Sequence, residues 1–123
     1  MKYLFVMCGG ALGALGRFLI VNVSAKVFGS DFPYGTLVVN SVGSFTLAFF
    51  MTLFLEKLTL DPLWRLFFAV GFLGSFTTFS SFSYESVSLL QENEYLKCLL
   101  NILLNNGISI TLSVLGFITA KWF

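Results

Sequence analysis

The sequence contains no histidine, two prolines and two cysteines, and only 11% of its 123 residues are charged. The missing histidine removes the commonest general base and the commonest metal ligand. Without a base, the many serines have nothing to activate them as nucleophiles. Seven Lys and Arg against six Asp and Glu leave a net charge of +1, so there is no basic field to hold nucleic acid through its phosphates. What is abundant is apolar: 57% hydrophobic residues, 16 phenylalanines and a mean hydropathy of +0.90. Soluble domains average about 45–50% apolar and about 25% charged, because water must solvate their surface. The solvent implied here is lipid.

Cutting the chain at charges and turn residues gives four apolar stretches, at residues 3–27, 34–55, 66–90 and 99–120. Each exceeds the roughly 20 residues that a helix needs to cross about 30 Å of hydrocarbon. The expected fold is an all-α integral membrane protein, a single domain over residues 1–123 with four transmembrane helices. Between the stretches lie short connections, Phe28 to Pro33, Glu56 to Arg65 with Asp61-Pro62, and Gln91 to Glu94. The first stretch also has features of a cleaved signal, with Lys2 ahead of apolar residues and small residues at Ala11 to Gly16. Its uninterrupted apolar core is short for that role, and three more spanning candidates follow. Cys8 and Cys98 fall near opposite ends of the membrane, which argues against a disulfide. With four spans, Lys2, Lys57, Arg65 and Lys121 share one side, and Lys26 and Lys97 the other. This positive-inside bias is weak, and insertion in both orientations with antiparallel pairing is one reading of it.

Polar groups inside hydrocarbon are costly, about 2.5–3.5 kcal/mol for a charge at a helix centre on insertion scales. Arg17 and Glu85 are the charges within the spans. Each sits away from a span centre, so snorkelling or a structural ion pair competes with a functional role. Gly9 and Gly13, four apart and flanked by Gly10 and Gly16, give the first span a face on which another backbone can approach closely. Thr36, Asn40, Gly43, Ser44 and Leu47 share a face of the second span. Asn40 there serves equally as interhelical glue or as the lining of a wet cavity. On the last span Asn101, Asn105, Ser109 and Ser113 follow at intervals of four, a polar stripe longer than one helix contact requires.

The third span holds Gly71, Gly74, Ser75, Thr77, Thr78, Ser80, Ser81 and Ser83. Glycine costs about 1 kcal/mol relative to alanine in a helix, and Ser and Thr compete for backbone partners, so a break is expected near Gly74 to Thr78. Freed carbonyls there can hold a hard cation, and amides at the start of a half-helix can meet an anion. Phe76, Phe79 and Phe82 recur through the polar run, either as a packing stripe or as part of a lining. Asn N–H, Ser and Thr O–H and the positive edges of phenyl rings are all donor-like and uncharged. Such a lining suits an anion bound weakly enough to leave again.

At these residues the chain resembles the Fluc/CrcB family of fluoride channels. Three blocks carry the likeness: Gly9-Gly10-x-x-Gly13-Ala14-x-x-Arg17-Phe18, then Gly35-Thr36-Leu37-x-x-Asn40-x-x-Gly43, and Gly71-Phe72-x-Gly74-x-x-Thr77-Thr78-Phe79-Ser80-x-Phe82-Ser83-x-Glu85. The resemblance implies an antiparallel, dual-topology homodimer in the cell inner (plasma) membrane, with two pores that export fluoride passively from the cytoplasm. It implies that Phe79 and Phe82 meet the ion with their ring edges. Asn40 would be the pore asparagine, with Thr36 one turn earlier, and Ser80, Ser81 and Glu85 would belong to the same path. A structural Na+ at the dimer centre would rest on the backbone carbonyls of Gly74 and Thr77. Gly9, Gly10, Gly13 and Arg17 fall to helix packing. The polar track of the last helix maps onto Asn101, Asn105 and Ser109, and its two asparagines depart from the Tyr, Ser or His common in the family. The resemblance covers essentially the whole chain, and the third block is the specific one.

Two other classes compete. A small four-span, proton-coupled multidrug exporter relies on a membrane-embedded Glu in its first helix, where this chain has Arg17 and no acid. An accessory subunit with packing roles only would account for the glycine face, but would leave the asparagine stripe surplus.

Overall fold

A computed structural model describes residues 1–56 and 60–123, and every element in it is helical. The chain runs α1 (Lys2–Phe28), α2 (Tyr34–Glu56), α3 (Pro62–Arg65), a π-helical segment π1 (Leu66–Leu73), α4 (Gly74–Phe76), α5 (Phe79–Gln91) and α6 (Tyr95–Lys121). Four of its helical runs are long and apolar enough to cross a membrane: α1, α2, the run Pro62–Gln91 and α6. It is a multi-pass membrane protein. Lys57, one of the cations expected on the side of the termini, lies outside the described residues.

The helices overrun the apolar stretches at several ends, because backbone hydrogen bonding continues until something stops it. The third run begins at Pro62 rather than Leu66. Asp61 is its cap and accepts from the Leu63 N–H at 2.9 Å, and Pro62 stands at a first-turn position where its missing N–H costs nothing. Between α5 and α6 the turn is closed by Asn93 at φ 61, in the left-handed region. Glu94 N–H donates to Leu89 O (2.9 Å) and Asn93 N–H to Leu90 O (3.1 Å), a Schellman closure that uses up the last carbonyls of α5. α6 therefore starts at Tyr95, four residues ahead of the apolar run.

Packing divides the molecule into two halves. In one, α1 lies parallel to the third run, with Gly9 against the Phe67 carbonyl, Gly13 against the Phe72 backbone and Gly16 beside the Phe76 ring. A side chain at Gly9 or Gly13 would overlap that backbone, which is the close approach expected of the glycine face. In the other half α2 and α6 run parallel: Asn40 meets Asn105, Ser44 meets Ser113, and Gly116 packs on Phe45 and Ala48.

The interior is as polar as it is apolar. Thr36, Asn101 and Val39 are the largest fully buried side chains among the described residues, and Ser24, Ser41, Thr52, Thr78, Ser86 and Asn105 are also buried. Large apolar side chains such as Leu12, Phe18, Val70, Ile110 and Phe117 face outward. This inversion suits a chain whose solvent is hydrocarbon and whose interior must satisfy its own polar groups.

Candidate functional site: the break in the third span

The third run breaks midway, where the sequence predicts it. Thr77 (φ −85, ψ 157) and Thr78 (φ −152, ψ 120) are extended and separate α4 from α5. The stretch before the break has a winding that the sequence does not predict: Leu66–Leu73 is a π-helix, a form that tends to occur near functional sites. The glycines that receive it on α1 are the available signal in the sequence.

Side chains take over the hydrogen bonds that the break releases. Thr78 N–H, which in a continuous helix would bond the Gly74 carbonyl, donates to Asn40 Oδ1 at 2.8 Å. Ser81 N–H, which would bond the Thr77 carbonyl, donates to Thr78 Oγ1 at 3.1 Å and so caps α5. The carbonyls of Gly74 and Thr77 are thereby left without their helical donors. Gly74 is exposed on the monomer and Thr77 half-buried. Gly43 on α2 fits against the Thr77 side chain, whose methyl a Cβ would overlap.

Asn40 is held on both edges. Besides accepting from Thr78, it donates through Nδ2 to Thr78 O (3.1 Å) and to Asn105 Oδ1 (3.0 Å). Beside it opens a groove of about 270 Å³ lined by Asn40, Thr78, Phe79, Phe82, Asn105 and Ser109, among others. Its walls carry amides, hydroxyls, the Phe79 and Phe82 rings and the apolar Leu47 and Ile110, and no charged side chain. The Ser109 hydroxyl is buried in the wall with no hydrogen-bond partner. The Phe79 and Phe82 rings are 5.5 Å apart between centroids at 61°. Phe82 is 8% exposed, and Phe79, at the start of α5, is 76% exposed on this single chain.

The residues singled out from the sequence do not all share this groove. Thr36 and Glu85 line a second cavity at the α1–α2 connection, also about 270 Å³, together with Asp31, Tyr84, Ser88 and Glu92. There the Thr36 hydroxyl donates to Glu85 Oε2 at 2.9 Å, and Glu85 Oε1 is buried without a partner. Ser80 is exposed at the start of α5, with its Oγ 3.3 Å from Thr78 Oγ1, and Ser81 contributes its backbone amide to the cap. Asn101 is fully buried and reaches the groove through Asn105. Arg17 is half-buried on α1 and makes no ion pair or hydrogen bond among the described residues, so the structural pairing considered for it with an acid is not formed. No cluster of three His, Cys, Asp or Glu side chains occurs among the described residues.

Four spans, a third span broken midway along its length, and a groove at the break that carries no charged side chain define the class: a small polytopic membrane protein with a polar groove between its helices. Residues 4–117 match the family described as CrcB-like protein, camphor resistance (CrcB), and the chain belongs to that family. It is 56% identical over 120 residues to a protein of Sulfurihydrogenibium sp. (strain YO3AOP1) named fluoride-specific ion channel FluC, covering 98% of this chain and 97% of that one. Proteins of the same name from Pyrococcus abyssi (45% identical; 96% and 94% covered) and Legionella pneumophila strain Paris (42%; 98% and 90%) are similar over the same extent. These relatives are named as ion channels, not as enzymes.

Proposed function

We propose that this protein is a fluoride-selective channel that exports fluoride passively from the cytoplasm across the inner (plasma) membrane. The observation that carries the reading is the groove at the break, where a membrane span opens onto Asn, Thr, Ser and Phe with no charged side chain. Fluoride is a strong hydrogen-bond acceptor, and an uncharged donor lining stabilises it without trapping it. The ring edges of Phe79 and Phe82 add positive quadrupole at the same place. The full-length likeness to proteins named for fluoride supports the choice of ion.

The same reading takes the working unit as an antiparallel homodimer with two pores. In its support, Phe79 is a large ring left 76% exposed beside a polar groove, a position that a second copy would complete. The carbonyls of Gly74 and Thr77, both without helical donors, are the groups of this chain that would hold a structural Na+, a hard cation suited to oxygen ligands. Two copies meeting at the break would supply a fuller set of oxygens than one. When bound, the ion would neutralise carbonyl dipoles that the break leaves exposed.

Reconstitution into liposomes loaded with fluoride or chloride, read with ion-selective electrodes, tests the reading. Fluoride efflux at channel rates is expected without a proton or sodium gradient, and chloride efflux at background. Phe82→Ile and Asn40→Ala should each lower the fluoride rate at least about tenfold, the usual effect of losing a single hydrogen-bonded or ring contact worth about 1.4 kcal/mol. Unchanged rates in both would refute these assignments. For topology, single-cysteine loop variants lacking Cys8 and Cys98 should label from both sides with an impermeant thiol reagent.

A further inference from the structure

We propose that Asn101 and Asn105 are positioning residues for Asn40: a one-way chain of carboxamides, anchored on backbone groups at both ends, fixes which edge of Asn40 faces the groove. The proposal rests on reading that groove as the ion path, because there the edge decides between attraction and repulsion. A carboxamide offers an anion two donors on its nitrogen and two lone pairs on its oxygen.

The polarity follows from groups that have only one role. A backbone N–H can only donate, so the Thr78 N–H, 2.8 Å away, requires the oxygen of Asn40 on its side. Asn40 Nδ2 is then committed to Thr78 O at 3.1 Å and to Asn105 at 3.0 Å. Because Nδ2 cannot accept, Asn105 must present Oδ1 to it. The nitrogen of Asn105 consequently faces Asn101 and donates to its backbone O and its Oδ1, both at 2.9 Å. A backbone carbonyl can only accept, so this joint fixes the direction a second time. Asn101 Nδ2 passes it on to Ser86 Oγ (2.9 Å), and Ser86 ends the chain on the Phe82 carbonyl (2.9 Å).

The chain starts at Thr78 in the break, crosses α2 and α6, and reaches α5 at Phe82, whose ring lines the groove. Reversing any one amide sets donor against donor or acceptor against acceptor at the neighbouring joint. Asn101 is 0% exposed and Asn105 5%, so water cannot substitute for the lost partner. Asn40 thus keeps its oxygen on the Thr78 N–H and its nitrogen on the Asn105 side, so that the N–H edge is the one held toward the groove.

Two readouts on Asn101→Leu and Asn105→Leu test this, each measured in the wild-type and in the Asn40→Ser background. The first is fluoride efflux from liposomes. Each substitution should lower it at least tenfold in the wild-type background and less than twofold once Asn40 is gone. Equal losses in both backgrounds, or none, would overturn the proposal, since a packing role does not act through Asn40. The second is hydrogen exchange of the Asn40 side-chain amide in ¹⁵N-asparagine-labelled protein, which should speed up at least tenfold in Asn101→Leu; an unchanged rate overturns the proposal. Should the leucine variants not fold, Ser86→Ala cuts the chain at its outer end by removing one oxygen. It should accelerate the same exchange by a smaller factor, about threefold, and no acceleration would again overturn the proposal. Absence of wild-type fluoride efflux would sink the channel reading alone, and the exchange measurement would still decide the fate of the amide chain.

Discussion

The two halves of this molecule solve the same problem by opposite means. Where α1 meets the third span, backbone lies on backbone: Gly9 and Gly13 remove their side chains, and the Phe67 and Phe72 peptides move into the space. Where α2, α5 and α6 meet around the break, amide and hydroxyl side chains join Thr78 through Asn40, Asn105, Asn101 and Ser86 to Phe82, and a glycine approach, Gly116 on the Phe45 carbonyl, comes only farther along α6. In hydrocarbon there is no hydrophobic drive between helices, so association relies on van der Waals contact or on hydrogen bonds. The glycine half is held by close fit, because a side chain at Gly9 or Gly13 would overlap the facing backbone. The amide half is specific because each of its members has a direction, and that half carries the groove.

The largest effect should come from filling the glycine half. In Gly13→Val the added carbons have only the Phe72 backbone to push against, and backbone cannot rotate away as a side chain can. Overpacking of this kind costs ~3 kcal/mol or more where nothing yields. The expected outcome is loss of the folded protein, read as aggregation on size-exclusion chromatography and a lost thermal transition. Gly107→Val is the control, since a Cβ there meets nothing within 4 Å. A normal elution profile for Gly13→Val would mean that the two helices can part without consequence, and the contrast between the halves would fall.

A middling effect is expected at the second cavity, where Thr36 donates to Glu85. Thr36→Val keeps the volume and removes the donor, leaving both Glu85 carboxylate oxygens without a hydrogen-bond partner among the described residues, in a half-buried site. Leaving a buried polar group unsatisfied costs about 1–3 kcal/mol, so thermal unfolding in detergent should fall by several degrees. Thr36→Ser should restore the wild-type transition. If Thr36→Val unfolds like the parent, hydrogen bonding does not stabilise the polar half as argued.

The contrast also explains what could be read in advance. The four spans follow from hydropathy, and the glycine face from the spacing of Gly9 and Gly13, because both depend only on local sequence. The break was legible too: glycines and hydroxyls crowded between Gly71 and Ser83 weaken a helix wherever they occur. Hydropathy alone starts the third run and α6 late, at Leu66 and Leu99, because charges and turn residues end an apolar stretch whereas Asp61 and Asn93 set the helix boundaries. Two things were not legible. The π-winding of Leu66–Leu73 depends on what packs against it. The division of the polar residues between the groove, the Thr36–Glu85 cavity and the buried amide chain depends on how α2, α5 and α6 are rotated, which periodicity along any single helix leaves open. Asn101 and Ser109 lie on one stripe, yet one is sealed inside and the other lines the groove with an unpartnered hydroxyl.

The smallest effect lies on that same stripe and sharpens the comparison from the other side. Ser113 donates to the Ser44 carbonyl at 3.4 Å, beyond the 2.7–3.0 Å of a good hydroxyl bond. The Ser44 carbonyl belongs to α2, whose own helical bonding already satisfies it, so Ser113 fills no vacancy. Ser113→Ala should therefore move stability by less than about 0.5 kcal/mol and leave efflux as it was. Asn105, two turns earlier on the same helix face, has no such latitude, because its loss leaves Asn40 Nδ2 and Asn101 Oδ1 each short of a partner. A Ser113→Ala defect as large as that of Asn105→Leu would mean that the whole α2–α6 seam contributes evenly, and that the direction of the amide chain is incidental to it.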